Sequence, residues 1–242
     1  MQTKTAAIIV VGNEILSGKV VDTNSAFAAR ELRAAGVSLE RIIVIPDDID
    51  VIASAVRDFQ AAYDLVFTSG GVGPTHDDVT IAGVARGFAV PVVTHPVLLE
   101  AIRRFGHEMT PAQMKMAEVP EGAEAITVGA IRFPVVRMRN VYVLPGIPEL
   151  FHDKFAALRT EFAGDPYFLR VLYVQVLESA IAPQLNNTLS AFPRLLLGSY
   201  PKLGESDYRV RVTLESKDRA YVDEALAHLL ALLPRSVVVR IE

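Results

Sequence analysis

The stretch from Ser69 to Thr80 sets Gly70, Gly71 and Gly73 just ahead of two adjacent carboxylates, Asp77 and Asp78, between an apolar run and a segment of helical period. Glycines let backbone N–H groups approach an anion closely, and the start of a helix offers that anion the positive end of its dipole. Such a loop suits a phosphate. Asp77 and Asp78 would repel a bare phosphate at that range, so a divalent cation bridging carboxylate and phosphate oxygens lets both occupy one site. Taken alone, the loop is equally compatible with a tight turn and a helix N-cap. It has no Gly-Lys-Ser/Thr ending of a triphosphate loop and no third glycine of a dinucleotide fingerprint.

The elements that must position this loop are legible as alternation. Short β-branched runs at 5–11, 37–45, 64–68 and 141–144 are separated by helical periods at about 23–35, 50–63, 79–86, 96–105 and 149–161. That pattern predicts an α/β domain over residues 1–164, a doubly wound, mostly parallel sheet with helices on both faces. Glu14 follows the first strand, Asp47 the second, and Asp77 and Asp78 the third. Open parallel sheets bind ligands outside the carboxyl ends of their strands, so three successive strands deliver acids to one rim. The competing reading is that Asp47, Asp48 and Asp50 cap the second helix and Glu14 is a solvated loop charge. Asp22, Thr23 and Asn24 read as a helix start whose side chains either cap the helix or contact a ligand. After Gly164-Asp165-Pro166 the order becomes strand, helix, strand, strand, helix, strand, which predicts a small α+β unit of ferredoxin-like type, βαββαβ, over 165–242.

Composition narrows the classes. The 242 residues are 51% hydrophobic and 21% charged, enough for a well-filled core. A net charge of -4 and a pI near 5.8 argue against a nucleic-acid partner, whose affinity comes from many Lys and Arg on phosphates. No apolar run approaches the roughly 20 residues of a spanning helix, which argues against a membrane, and the absence of cysteine fits a reducing compartment. The expectation is a soluble cytoplasmic protein. The five histidines show no zinc spacing, no Gly-x-Ser-x-Gly elbow is present, and no thiol nucleophile exists. His76 reads more readily as a solvated loop residue than as a general base, and Arg132, Arg137 and Arg139 as a solvated strand edge.

Four ordered motifs carry a resemblance: Val11 to Ser17-Gly18 (Val-Gly-Asn-Glu-Ile-Leu-Ser-Gly), Asp22-Thr23-Asn24, the loop from Gly70 to Thr80, and Leu144 to Pro148 (Leu-Pro-Gly-Ile-Pro). Together they resemble the molybdopterin-binding (MoaB/Mog-like) domain over about residues 4–162. Within it they are nearest to the amino-terminal part of CinA-type competence/damage-inducible proteins and to the molybdopterin-binding-like domain of eukaryotic FAD synthases. The resemblance implies a site at the strands' carboxyl ends and an adenosine diphosphate moiety beside a metal. It places catalytic roles on Asp78, Asp47 and Lys115, and a divalent cation (Mg²⁺, Mn²⁺ or Co²⁺) on Asp78, Asp47 and Glu14. Substrate contacts fall on Gly12, Asn24, Ser69, Gly70, Gly71, Gly73, Thr75, Thr80, Pro145 and Gly146.

The activity implied is metal-dependent hydrolysis of an ADP-containing pyrophosphate, ADP-ribose or FAD. Two alternatives stay open: molybdopterin adenylylation, and a non-catalytic protein that binds a pterin or nucleotide. A homo-oligomer, most simply a two-fold dimer, is expected from the family and from symmetry. The chain departs from CinA-type sequences at Gly129 to Val136, where it is closer to the FAD synthases, and His76 is likewise the FAD-synthase form of the loop.

Overall fold

The computed structural model describes residues 3–104, 109–127, 133–204 and 207–242 and divides into two compact units, Met1–Gly164 and Asp165–Glu242. In the larger unit the chain runs β1 (Thr5–Val11), α1 (Asn13–Leu16), α2 (Asn24–Ala34), β2 (Ser38–Ile45), α3 (Ile49–Ala62), β3 (Leu65–Ser69) and α4 (Thr80–Gly87). It continues through β4 (Val92–Thr94), α5 (Pro96–Arg103), α6 (Pro111–Lys115), β5 (Glu118–Pro120), β6 (Glu124–Ile126), β7 (Val135–Met138), β8 (Val141–Leu144) and α7 (Pro148–Phe162).

Six strands form one sheet in the order β2-β1-β3-β8-β7-β6, and the first four are parallel. The edge strands β7 and β6 turn antiparallel, while β4 and β5 make a separate two-stranded ribbon. β1 is apolar on both faces because both are covered, and its period of two splits the core. Ala7, Ile9 and Val11 pack with α3 and α4 through Ile52, Val56, Phe59 and Val84. Ala6, Ile8 and Val10 pack with α2 and α7 through Ala28, Leu32, Phe151, Phe155 and Phe162.

The expected doubly wound, mostly parallel sheet is therefore present, and every strand and helix expected around it has a counterpart within a few residues. Six short elements were not expected: α1, β4, α6, β5, β6 and β7. Each is three to five residues long, too short for a periodic signal to show. The stretch Gly129 to Arg132, like His107 and Glu108, lies outside the described residues.

The smaller unit runs β9 (Phe168–Val174), α8 (Glu178–Ala191), β10 (Leu196–Pro201), β11 (Val210–Ser216), α9 (Arg219–Leu232) and β12 (Val238–Ile241), the expected βαββαβ order. Its antiparallel sheet, β10-β11-β9-β12, covers α8 and α9 through Leu172, Val174, Val212, Leu214, Ile181 and Leu229. α8 begins four residues earlier than the expected start at 182 and carries Pro183 inside it.

Two positions in the larger unit are tightly constrained. Gly83 on α4 lets α3 approach so closely that a Cβ there would lie 2.6 Å from the Cβ of Ile52. Gly83→Ala is expected to destabilise the fold by about 1–3 kcal/mol through overpacking; an unchanged urea midpoint would show that the α3–α4 contact yields freely. Lys154 on α7 is buried, its Nζ donating to the carbonyls of Phe133 and, at 3.2 Å, Pro134. Burial lowers its pKa from 10.5 to about 8. Between those values the unfolded chain holds a proton that the folded chain has released, so stability at this position rises with pH across that window. Lys154→Met is expected to flatten that rise in urea titrations at pH 7.5 and 10, and an identical slope in the two proteins would refute the assignment.

Candidate functional site

β1, β3 and β8 end on the same rim, and Gly70 is where they meet. It adopts φ +103°, and a Cβ there would collide with the carbonyl oxygen of Val11 at the end of β1. Its N–H donates to Leu144 O of β8 at 3.2 Å, and its carbonyl accepts the Thr80 hydroxyl at 2.8 Å. Gly71, at φ +66°, accepts the Thr80 N–H at 2.9 Å, so the first turn of α4 is stitched to the loop by both hydrogen-bonding groups of one buried threonine. Gly146, beyond β8, packs against Gly70 so closely that its Cβ would stand 3.2 Å from the Gly70 Cα. Gly70 thus serves by close approach, its N–H already committed.

The carboxylates are held separately. Asp78 does not cap α4: the N-cap is Val79, without a side-chain bond, and the Asp78 carboxylate turns back to accept the Thr75 N–H at 2.8 Å and the Thr75 hydroxyl. Gly73 is required beneath it, since a Cβ there would lie 2.6 Å from Asp78 Oδ2. Lys115, the last residue of α6 and 40 positions away, donates from Nζ to the Thr75 carbonyl. Thr75 therefore joins Asp78 and Lys115. The Thr75 hydroxyl, whose single proton is shared with Asp78, Asp77's own backbone N–H and, more weakly, His76 and Lys115 hold the exposed Asp77 carboxyl below the usual carboxylate range.

The acids after β2 divide their work. Asp48 caps α3 by accepting the N–H groups of Asp50 and Val51 at 2.8 and 3.1 Å, and Asp50 pairs with Arg86 at 2.9 Å. Asp47 instead accepts the Asn13 N–H at 2.8 Å, tying the end of β2 to α1. Gly12 donates to Ile45 O at 3.1 Å, and the Glu14 carboxylate lies over it, with Oε1 2.5 Å from where a Cβ would stand. Asp78, Asp47 and Glu14 were expected to share one cation. Among the described residues no three His, Cys, Asp or Glu side chains form such a group, and the Asp47 and Asp78 carboxylates accept from N–H donors on different segments.

Asn24, at the first position of α2, is 5% exposed and bridges the rim: its Nδ2 donates to Ser69 Oγ at 3.0 Å and to Gly146 O at 2.9 Å. The N-cap of α2, Thr23, makes no side-chain bond, and Asp22 before it accepts the Ser25 N–H at 3.0 Å. A cavity of about 90 Å³ opens here, lined by Asn24, Ser69, Gly70, Gly146 and Glu14 and walled by Ile15, Val20, Val21 and Pro148. The apolar wall was missed. Its signal was present as Val20 and Val21, which are apolar yet 50% and 79% exposed in an otherwise polar loop. Pro145 follows β8 at the same rim.

Other candidates stay apart. The His76 side chain is almost wholly exposed, 3.9 Å from Asp77. Arg137 on β7 is paired with Glu124 at 2.6 Å and Glu161 at 3.7 Å, and Arg139 lies over the Phe88 ring. Arg132 is outside the described residues.

Thr75→Val is expected to let the Asp77 carboxyl rise toward its ordinary value in a carboxyl-detected NMR titration; an unmoved titration would remove Thr75 as the cause.

Residues 7–162 match the family described as a probable molybdopterin binding domain, and residues 166–242 match the middle domain of FAD synthase. A protein of Archaeoglobus fulgidus is 36% identical over 226 residues, 93% of this chain and 96% of its own length. A probable FAD synthase of Caenorhabditis elegans is 32% identical over 98% of this chain, which spans about half (51%) of that relative. The crystal structure of the protein CinA from Thermoplasma acidophilum superposes with a TM-score of 0.60 at 33% identity, covering 66% of this chain and 98% of that one. No helix among the described residues is long and apolar enough to cross a membrane. The chain belongs to the molybdopterin-binding domain family, here joined to a unit of the FAD synthase middle-domain type.

Proposed function

We propose that this protein hydrolyses the pyrophosphate of an ADP-containing nucleotide, ADP-ribose or FAD, at the rim where β1, β3 and β8 end. The observation that carries the reading is the convergence on Thr75 of a carboxylate from the glycine loop and an ammonium from α6, Asp78 and Lys115. Gly71 and Gly73 bring bare backbone against the diphosphate. Lys115 stabilises charge on the leaving phosphate, at a site otherwise rich in acids. Asp78, fixed in one rotamer by two hydrogen bonds, orients what the diphosphate carries with it. A divalent cation (Mg²⁺, Mn²⁺ or Co²⁺), held by Asp78 and the substrate's own phosphates, would neutralise the diphosphate and acidify a water. Asp47 and Glu14 then act on the rim's shape and charge, with Asp47 fixing α1 through Asn13. A two-fold dimer is the proposed assembly.

The family match over residues 7–162 favours a second reading, adenylyl transfer to molybdopterin. Incubation with ADP-ribose and with FAD, with each cation present or chelated, separates the two. AMP release is expected with a cation and is expected to fall by about a hundredfold or more in Asp78→Asn. Release that survives in a folded Asp78→Asn protein would refute the assignment. No release from either substrate, with turnover of molybdopterin and ATP, would select the transferase.

A further inference from the structure

The net charge of -4 is not shared between the two units. Residues 165–242 hold nine acids and nine Lys or Arg, so the whole surplus of acid lies in residues 1–164. In the smaller unit α8 and α9 cover one face of the sheet, packing on Leu172, Val174, Val212 and Leu214. Alternation along the strands turns Tyr173 and Arg211 to the other face. The register extends that pair into a row across all four strands: Tyr200 on β10, Arg211 on β11, Tyr173 on β9 and Arg240 on β12. Three interstrand gaps make the row about 14 Å long. Aromatic ring and cation alternate along it, the Arg211 guanidinium 4.9 Å from the Tyr200 ring and that of Arg240 3.9 Å from the Tyr173 ring.

The two halves of the row differ in what they leave open. Arg240 is paired with Asp207 and, at 3.1 Å, with Glu242, and Tyr173 is buried, its hydroxyl donating to Glu242. Tyr200 and Arg211 are open. A Cβ at Gly198 would lie 2.7 Å from Tyr200 Cε2 and 2.8 Å from Thr213 Oγ1, so the bare glycine lets the Tyr200 ring lie down along the sheet. Tyr200 is nonetheless 49% exposed. Among the described residues Arg211 pairs with no carboxylate, and neither do the exposed Lys202 and Arg209, which the 2.8 Å bond from Lys202 N–H to Arg209 O joins at the end of the β10–β11 hairpin. Three cations without acids beside an exposed, flat ring suit an anion that carries planar groups. Small ligands are held in concave sites, whereas an open sheet face offers planes and charges to a chain that runs across it.

We propose that this open face of the smaller unit binds a single strand of nucleic acid, with a base stacked on the Tyr200–Arg211 pair and phosphates beside Arg211, Lys202 and Arg209. Stacking on aromatic rings and guanidinium planes of a four-stranded sheet needs no particular sequence, because every base has a π-face. A duplex hides those faces, so the strand must be single. The charge of the whole chain opposes binding by charge alone, and the ring supplies what the charge does not. These residues lie outside the larger unit, so the proposal stands or falls separately from the pyrophosphate reading.

The test is fluorescence anisotropy of a labelled oligouridylate of about twelve nucleotides, titrated with the full chain at about 50 and about 200 mM salt. Three cations at about 0.7 per neutralised phosphate give a log–log slope of about −2, a loss of about 20-fold over that range. Arg211→Gln and Lys202→Gln are each expected to reduce the slope by about 0.7, while Tyr200→Leu weakens binding by about fivefold or more and leaves the slope unchanged. No binding at the lower salt, or a slope that neither glutamine variant changes, would overturn the proposal. Displacement of the strand by excess ADP-ribose would overturn it by placing the strand at the glycine loop, and binding of phosphatidylserine vesicles in place of the strand would overturn it in favour of a membrane surface. A folded Tyr200→Leu protein that binds as tightly as the unsubstituted one would overturn the role of the ring. Should that variant not fold, the slopes of the two exposed-cation variants still decide.

Discussion

The rim depends on one missing atom. With no Cβ at Gly70, the end of β3 can lie against the carbonyl of Val11 on β1, donate to Leu144 on β8 and accept from Thr80 on α4. Any side chain would need both a left-handed backbone and room that the Val11 oxygen already fills. Moving Gly70 away would break the stitch to Thr80 and so detach α4 from the loop. It would also shift Gly146, the second anchor of Asn24. Loop, helix and cavity therefore share a single geometric constraint.

That constraint gathers negative charge without neutralising it in pairs. Asp47 and Asp78 each accept backbone N–H groups of other loop or helix-start residues, which fixes the direction of the carboxylate. Among the described residues the acids delivered by three strands to one rim form no group of three. Lys115 is the cation brought to the loop, and it reaches the Thr75 carbonyl rather than an acid.

The central strands were readable because burial on both faces leaves a continuous apolar run, as in Ala6 to Val11 and Val141 to Leu144. So was the small unit's order, since its four strands and two α-helices are four residues or longer, with turn residues between them. The segment between α5 and β8 was not, because β5, β6 and β7 are pieces of three or four residues whose pairing, not their pattern, makes them strands. At the site, the positions of Glu14, Asp47 and Asp78 followed from strand ends alone. Their partners did not. Asp47 is bound 34 residues back by a main-chain N–H, which no side-chain pattern announces, and Asp78 mimicked an N-cap while serving Thr75. Nor does a local pattern announce that Asp22 accepts the Ser25 N–H while the Asn24 amide reaches the carbonyl of Gly146, 122 residues away.

The rim is also divided by polarity, with Gly70 on the boundary. On the loop side the Asp78 carboxylate is turned onto Thr75 above Gly73, and the ammonium of Lys115 reaches the same residue. On the cavity side Asn24 ties Ser69 to Gly146 beside the apolar side chains of Ile15, Val20, Val21 and Pro148. Both halves hang on the end of β3, since Ser69 anchors the Asn24 amide and Gly70 anchors the Thr80 hydroxyl. A displacement of that strand end would therefore reach both halves at once, which ties the geometry of the loop to that of the cavity.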